Sequence, residues 1–227
     1  MKYIEFEKIF SIPRISRYLK ACSNDKRKSI QLYKLNLKLS QQLFTIESCF
    51  EVAIRNKVDV HYTSLFGKNW LVDSINAHGI FDNNKCRRTA KIIKDKINIL
   101  NTKFTHPRLV AEMDFGFWRY LFAKPQFRAG KQSLLLIFPK KPKSSISLHY
   151  DNKFVYNELQ RINDFRNRLA HHEPICFQYG KDIIDTHYSK SIYNSMIDLL
   201  LWMAVDTKSV LYGIDHTKEI INKIDNI

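Results

Sequence analysis

The chain has 227 residues, 44% of them apolar, enough to bury a core as one domain over residues 1–227 and too many for a disordered chain. Thirty-seven Lys plus Arg against 22 Asp plus Glu leave a formal charge of +15, which favours polyanionic partners, nucleic acid ahead of an anionic membrane. No window approaches the ~18 uninterrupted apolar residues of a membrane span, and the opening MKYIEFEKIF lacks an apolar signal region, so a cytoplasmic protein with no membrane partner is expected.

Only six glycines and six prolines interrupt the sequence, and the stretches between them carry helical spacing, which predicts an all-α protein. Ile12 to Cys22 reads as a helix with Ser11 as N-cap and Pro13 in its first turn. Asn24 or Asp25 caps a second helix that meets no breaker until Phe66. Its seam is Leu39, Leu43, Ile46, Phe50 and Ala53, Gly67 closes it, and Trp70 follows in the turn. Asp82 or Asn83 starts a helix to about Asn101 with Ile92, Ile93, Ile97 and Leu100 inward, and the chain restarts at His106-Pro107. LVAEMDFGFWRYLF (109–122) reads as one of the most buried helices. Residues 124–153, rich in lysine and proline, read as a basic irregular insertion. Ser189 to Val205 forms a further helix with the seam Ile192, Met196, Leu199 and Met203, and Thr217 caps a short terminal one. Cys22, Cys49, Cys86 and Cys176 lack C-x-x-C spacing and read as reduced thiols. No cofactor or metal is implied.

The remaining segment, Asp151 to His172, places Val155, Leu159, Ile162 and Leu169 on one stripe, and Pro174 forces an end at about His171 to Glu173. It closes on RNRLAHHEP (166–174). On a helical wheel Arg166 falls in the middle of the apolar stripe, at about 20° from Val155, whereas Asn167 falls near 120° and His171 near 160° at ~100° per residue. An arginine facing low dielectric needs a carboxylate, water or a phosphate. One ideal helix cannot aim Arg166 and His171 at a single phosphate. Either the helix loosens and swings His171 inward, or a second helix or a second protomer completes the site. Arg166 can equally be a buried ion-pair partner and His171 a cap on the helix dipole.

Arginine, a polar amide and histidine together form the set that a metal-free RNA-cleaving site uses. Histidine moves the 2′-OH or 5′-oxygen proton, arginine stabilises the phosphorane oxygens, and asparagine orients the phosphate or the histidine.

RNRLAHHEPI resembles the signature of the HEPN superfamily in the form typical of the abortive-infection, Abi-like family. LYKLNLKLSQQLF and ESCFEVAIRNKV (32–58), FGKNWL (66–71), AEMDFGFWRYLF (111–122) and LLLWMAVD (199–206) are similar to that family's segments in the same order. The resemblance implies a HEPN-type four-helix bundle core with additional helices. It also implies a metal-independent endoribonuclease and a homodimer whose two motif helices share one cleft. The implied role is phage defence or a toxin-antitoxin system, with some members restrained by a cognate structured non-coding RNA. It carries Arg166, Asn167 and His171 into the catalytic places, with His172 and Glu173 flanking them. A second RN pair, Arg55 and Asn56, is added as supporting. By pattern alone Arg55 reads as part of a solvated triplet with Glu51 and Asp59, and His61 has no assigned role. Lys85, Arg87, Arg88, Lys140, Lys141 and Lys143 are the expected RNA-binding residues. The competing reading is a non-catalytic module that holds a structured RNA.

Overall fold

The computed structural model describes residues 2–227, and among them are twelve α-helices and no strand. The helices are α1 (Tyr3–Phe10), α2 (Ile12–Ala21), α3 (Lys26–Phe66), α4 (Trp70–Asp73), α5 (Arg87–Leu100) and α6 (His106–Glu112). They continue as α7 (Phe115–Tyr120), α8 (Lys124–Ala129), α9 (Asn152–Ala170), α10 (His187–Trp202), α11 (Thr207–Val210) and α12 (Thr217–Asp225). The expectation of an all-α protein holds. None of these helices is long and apolar enough to cross a membrane.

The chain divides into two compact units. One holds the N-terminal residues up to Ser48, Asp164–Ile197 and Thr207–Ile227; the other holds Cys49–Asn163 and Asp198–Asp206. Helices α3, α9 and α10 therefore each contribute to both.

Helix α3 shows why burial sets the phase of a helix. The Asp25 carboxylate accepts from the N–H groups of Arg27 and Lys28 (2.8 and 3.0 Å), capping it. At the far end Gly67 sits at φ +95° and donates to Thr63 O at 3.0 Å. The buried seam is Leu39, Leu43, Ile46, Phe50, Ile54, Val58 and Tyr62, so Ile54 takes the place expected for Ala53, which is half-buried. An isoleucine has three more carbons than alanine, and at about 0.8 kcal/mol per buried CH₂ the gain of about 2 kcal/mol decides the choice.

In the first unit, α1, which composition alone did not reveal, packs Phe6 and Phe10 on Tyr33 (centroids 5.2 and 4.8 Å). Tyr18 of α2 contacts both Tyr33 and Phe177. Ser11 separates the two helices at φ 68° and makes no side-chain cap bond, contrary to expectation. Thr217 is likewise inside α12 rather than its cap, and it is the Asp215 carboxylate that accepts from its N–H at 3.0 Å.

In the second unit, Tyr62 stacks edge-on against Trp70 (4.8 Å) and Phe50 against Phe115 (6.0 Å). The stretch 109–122 is as buried as expected but is two helices, because Asp114 turns the chain and caps α7 by accepting from Phe117 N–H at 2.8 Å. Asn83 caps the turn before α5 in the same manner. Of the four residues expected to face inward on α5 only Ile93 is fully buried, and Ile92, Ile97 and Leu100 are part-exposed. Residues 124–153 are short helices and irregular chain, as the prolines predicted. All four cysteines are free.

Gly130 is held by close approach: a Cβ there would lie 2.0 Å from the Tyr62 hydroxyl oxygen and 2.8 Å from the ring. Tyr62 is fully buried. Gly130→Ala should therefore destabilise the protein by about 1–3 kcal/mol of overpacking. This would lower the melting temperature by about 2–10 °C, measured by circular dichroism; an unchanged melting curve would show that Tyr62 can yield.

Candidate functional site

The motif sits at the C-terminal end of α9, in the first unit. The Val155, Leu159, Ile162 and Leu169 stripe is buried as expected, with Phe165 added to it. Arg166 is half-buried beside this stripe, and its Nε is enclosed with no hydrogen-bond partner among the described residues. Asn167 and His171 are exposed. Helical register persists through His171, whose N–H still donates to Asn167 O at 2.9 Å. The loosened helix that would swing His171 inward is therefore not formed, and Arg166 and His171 point from different sides of α9.

The stop comes at His172, within the expected range of His171 to Glu173. His172 takes the left-handed conformation at φ 55°, its N–H donates to Leu169 O (3.0 Å), and Glu173 N–H reaches back to Arg168 O (2.9 Å). This is a Schellman closure of the helix, and a non-glycine residue there costs about 1–2 kcal/mol. Side chains hold that turn from several directions. Arg168 donates from Nε to the Glu173 carboxylate (3.1 Å) and from Nη2 to Pro174 O (2.9 Å), and it lies over the Tyr188 ring. Arg14 of α2 donates to His172 O. Glu173, expected as a flanking site residue, is thus committed to Arg168, which sequence reading passed over although it lies inside the motif.

Immediately beyond, Ile175 is anchored through its backbone. Its N–H donates to Asn36 Oδ1 (2.9 Å) and its carbonyl accepts from Ser189 Oγ (2.6 Å). Asn36 of α3 and Ser189 of α10 are both buried. Neither was singled out from sequence, although a polar residue in the middle of an apolar helical face is the signal that could have found Asn36. Arg17 of α2 extends the clasp by donating to the carbonyls of Gln178 and Lys181 and pairing with Asp182 at 3.2 Å.

The second RN pair lies on the part of α3 that belongs to the other unit. Arg55 does not join the expected solvated triplet with Glu51 and Asp59. Asp59 instead accepts from Trp70 Nε1 (2.7 Å) and pairs with His106 Nε2 (2.9 Å). Arg55 is half-buried, with its own Nε enclosed and unpartnered among the described residues, and Asn56 is exposed. Both RN pairs therefore present the same arrangement, a half-enclosed guanidinium with an orphaned donor followed by a free-standing amide. His61, five residues after Asn56, is hydrogen-bonded to Ser133. The Ser133 hydroxyl donates to Gly130 O (2.8 Å), so it accepts from His61 Nε2–H at 2.9 Å. Burial pushes the His61 pKa below the ordinary value of 6.5.

Of the expected RNA-binding residues, Lys85, Arg87 and Arg88 are exposed around the start of α5, where Arg87 lines an open cleft of about 660 Å³ together with Lys91 and Lys94. Lys140 and Lys143 are exposed and Lys141 half-buried in the irregular segment, where Lys140 N–H donates to Trp202 O at 3.0 Å. Among the described residues no group of three or more His, Cys, Asp or Glu side chains could hold a metal ion.

Two measurements check this architecture. Asn36→Leu leaves the Ile175 N–H buried without an acceptor and should cost about 1–3 kcal/mol, read by chemical denaturation; a variant as stable as the wild type would contradict the anchoring role. His61, with its folded pKa depressed, contributes stability that is present above pH 6.5 and lost as pH falls through the folded value. A melting series from about pH 7.5 to 5.5 should fall more steeply for the wild type than for His61→Gln.

The family model described as Abi-like protein matches residues 4–176, three quarters of the chain and all of the motif. No curated protein and no solved structure matches it.

Proposed function

Because the chain belongs to the Abi-like protein family, we propose that it is an endoribonuclease of abortive infection or of a toxin-antitoxin pair, cleaving RNA with Arg166, Asn167 and His171. The observation that carries this reading is Arg166, a half-enclosed guanidinium with an orphaned Nε on the same helix end as the exposed His171. A buried donor left unpaired costs about 1–3 kcal/mol. A phosphate oxygen recovers that cost when it binds.

In the proposed reaction the ribose 2′-oxygen attacks the adjacent phosphorus. The 2′-O–P bond forms, the P–O5′ bond breaks, and the proton leaving the 2′-OH is replaced by one delivered to the departing 5′-oxygen. Imidazole is the side chain suited to both transfers near neutral pH, which gives His171 its role. Arg166 binds the phosphorane oxygens through charge-assisted hydrogen bonds, and Asn167, exposed one residue on, orients the phosphate. The products are a 2′,3′-cyclic phosphate and a 5′-hydroxyl, and the scheme requires no metal.

Since register persists through His171, one α9 does not bring both groups to the same phosphate. A second copy of the chain, facing the first in a homodimer, supplies the complementary group, and Arg55 and Asn56 are assigned a supporting role in RNA binding. Phage or host RNA is the substrate, and a cognate structured non-coding RNA is the restraining partner.

Purified protein should cleave RNA in the presence of chelator and leave 2′,3′-cyclic phosphate ends. His171→Ala should slow cleavage by about 10²–10⁴-fold, and Arg166→Ala by about 10²–10³-fold. Sedimentation should show a dimer. Intact RNA across varied sequences, with salt-sensitive binding retained, would replace this reading with the non-catalytic RNA-holding module.

A further inference from the structure

The second unit contains a pocket of about 490 Å³ formed by the end of α7, α8 and the first turns of α9, within the ~300–1,000 Å³ of ordinary ligand sites. Its composition is specific. Phe122 and Phe127 are buried and form an apolar floor, whereas Tyr120 and Tyr156 also line it and are only half-buried. Tyr156 is held by Arg119, whose guanidinium lies 5.3 Å from the ring centroid while also donating to Gln160. A half-exposed tyrosine ring in a cavity offers a flat apolar face with a polar edge, suited to stacking on a planar ligand.

Cations occur in the same pocket on two different elements. Lys124 and Arg128 stand one turn apart on α8, and Lys153 stands in the first turn of α9; all three are exposed and none has an ion-pair partner among the described residues. Cations on two elements suit a backbone that enters on one side and leaves on the other. Between them Asn152 donates through Nδ2 to Phe122 O at 3.1 Å, which fixes the orientation of its amide at the pocket.

We propose that this pocket binds one unstacked nucleotide of a single-stranded RNA, with its base against Tyr120 or Tyr156 and its flanking phosphates on Lys124, Arg128 and Lys153. Aromatic platforms beside a basic track are the usual means of holding single strands, because every base has a π-face and a duplex offers none inside its stack. The proposal rests on the RNA reading above, and it narrows the substrate from RNA in general to single-stranded segments. Residues 124–153, expected as a basic irregular insertion, supply much of the site.

The test uses the full-length chain carrying His171→Ala, so that bound RNA is not consumed. Fluorescence anisotropy with labelled oligonucleotides should show tighter binding to a single strand than to the same sequence as a duplex. Tyr156→Ala should weaken single-strand binding by about tenfold or more, Tyr156→Phe should restore it, and Lys124→Glu with Arg128→Glu should weaken it and flatten its salt dependence. RNA carrying a photoreactive uridine should cross-link within 120–156, a readout independent of how well any variant folds. Duplex and single strand bound alike, or cross-links lying wholly elsewhere, would overturn the proposal. Free mononucleotides that bind as tightly as RNA and displace it would assign the pocket to a small molecule instead, and would overturn it too. Wild-type cleavage with the pocket inert would defeat this proposal alone, whereas pocket binding without any cleavage would defeat the nuclease reading and leave the pocket standing.

Discussion

Ile175 carries the constraint on which the motif end depends. A backbone N–H and C=O that leave a helix and enter a core cannot go unpaired, and here Asn36 of α3 and Ser189 of α10 satisfy one each. Three segments far apart in sequence are thereby tied at one residue, just after RNRLAHHEP. With Arg14 on His172 O and Arg168 on Glu173 and Pro174 O, the turn has little freedom. His172 is held in a left-handed conformation that glycine would adopt more cheaply. A chain that accepts that cost keeps the position of the neighbouring His171 defined even though the imidazole itself stands in solvent.

The arginines of the chain differ in the partners that reach them. Arg14 and Arg168 are used on carbonyls or a carboxylate. Arg166 and Arg55 keep an enclosed Nε without a hydrogen-bond partner among the described residues, as Arg17 and Arg119 also do although another of their guanidinium nitrogens is bonded. Local sequence does not distinguish these arginines. What separates them is whether an acceptor from elsewhere in the fold reaches the guanidinium.

Much of the fold was legible from periodicity and breakers. The α3 seam, its Asp25 cap and Gly67 stop, the α9 stripe and the α10 seam all follow from local rules. The misses share one cause. Asp114 lies inside a largely apolar run, yet it is an N-cap that divides it; Ser11 and Thr217 stand where caps are expected but make no cap bond. A short polar side chain can cap, interrupt or face solvent, and which of these it does depends on where the backbone turns. Asp59 is the same lesson in packing: Glu51 and Arg55 are its neighbours along the helix, yet its oxygen goes to Trp70 and His106, since buried indole and imidazole N–H groups need an acceptor more than a solvated ion pair does.

By itself the sequence determined the helical class, the basic charge, and the positions of Arg166, Asn167 and His171 along one helix, because these depend on residue type and a fixed angular step. Only the tertiary structure decided that register continues through His171, that the helix ends on a strained His172, and that Glu173 belongs to Arg168. It also gathered Tyr120, Tyr156, Lys124, Arg128 and Lys153 around one pocket. Those outcomes depend on which acceptors and surfaces arrive from distant parts of the chain, and no local spacing encodes them.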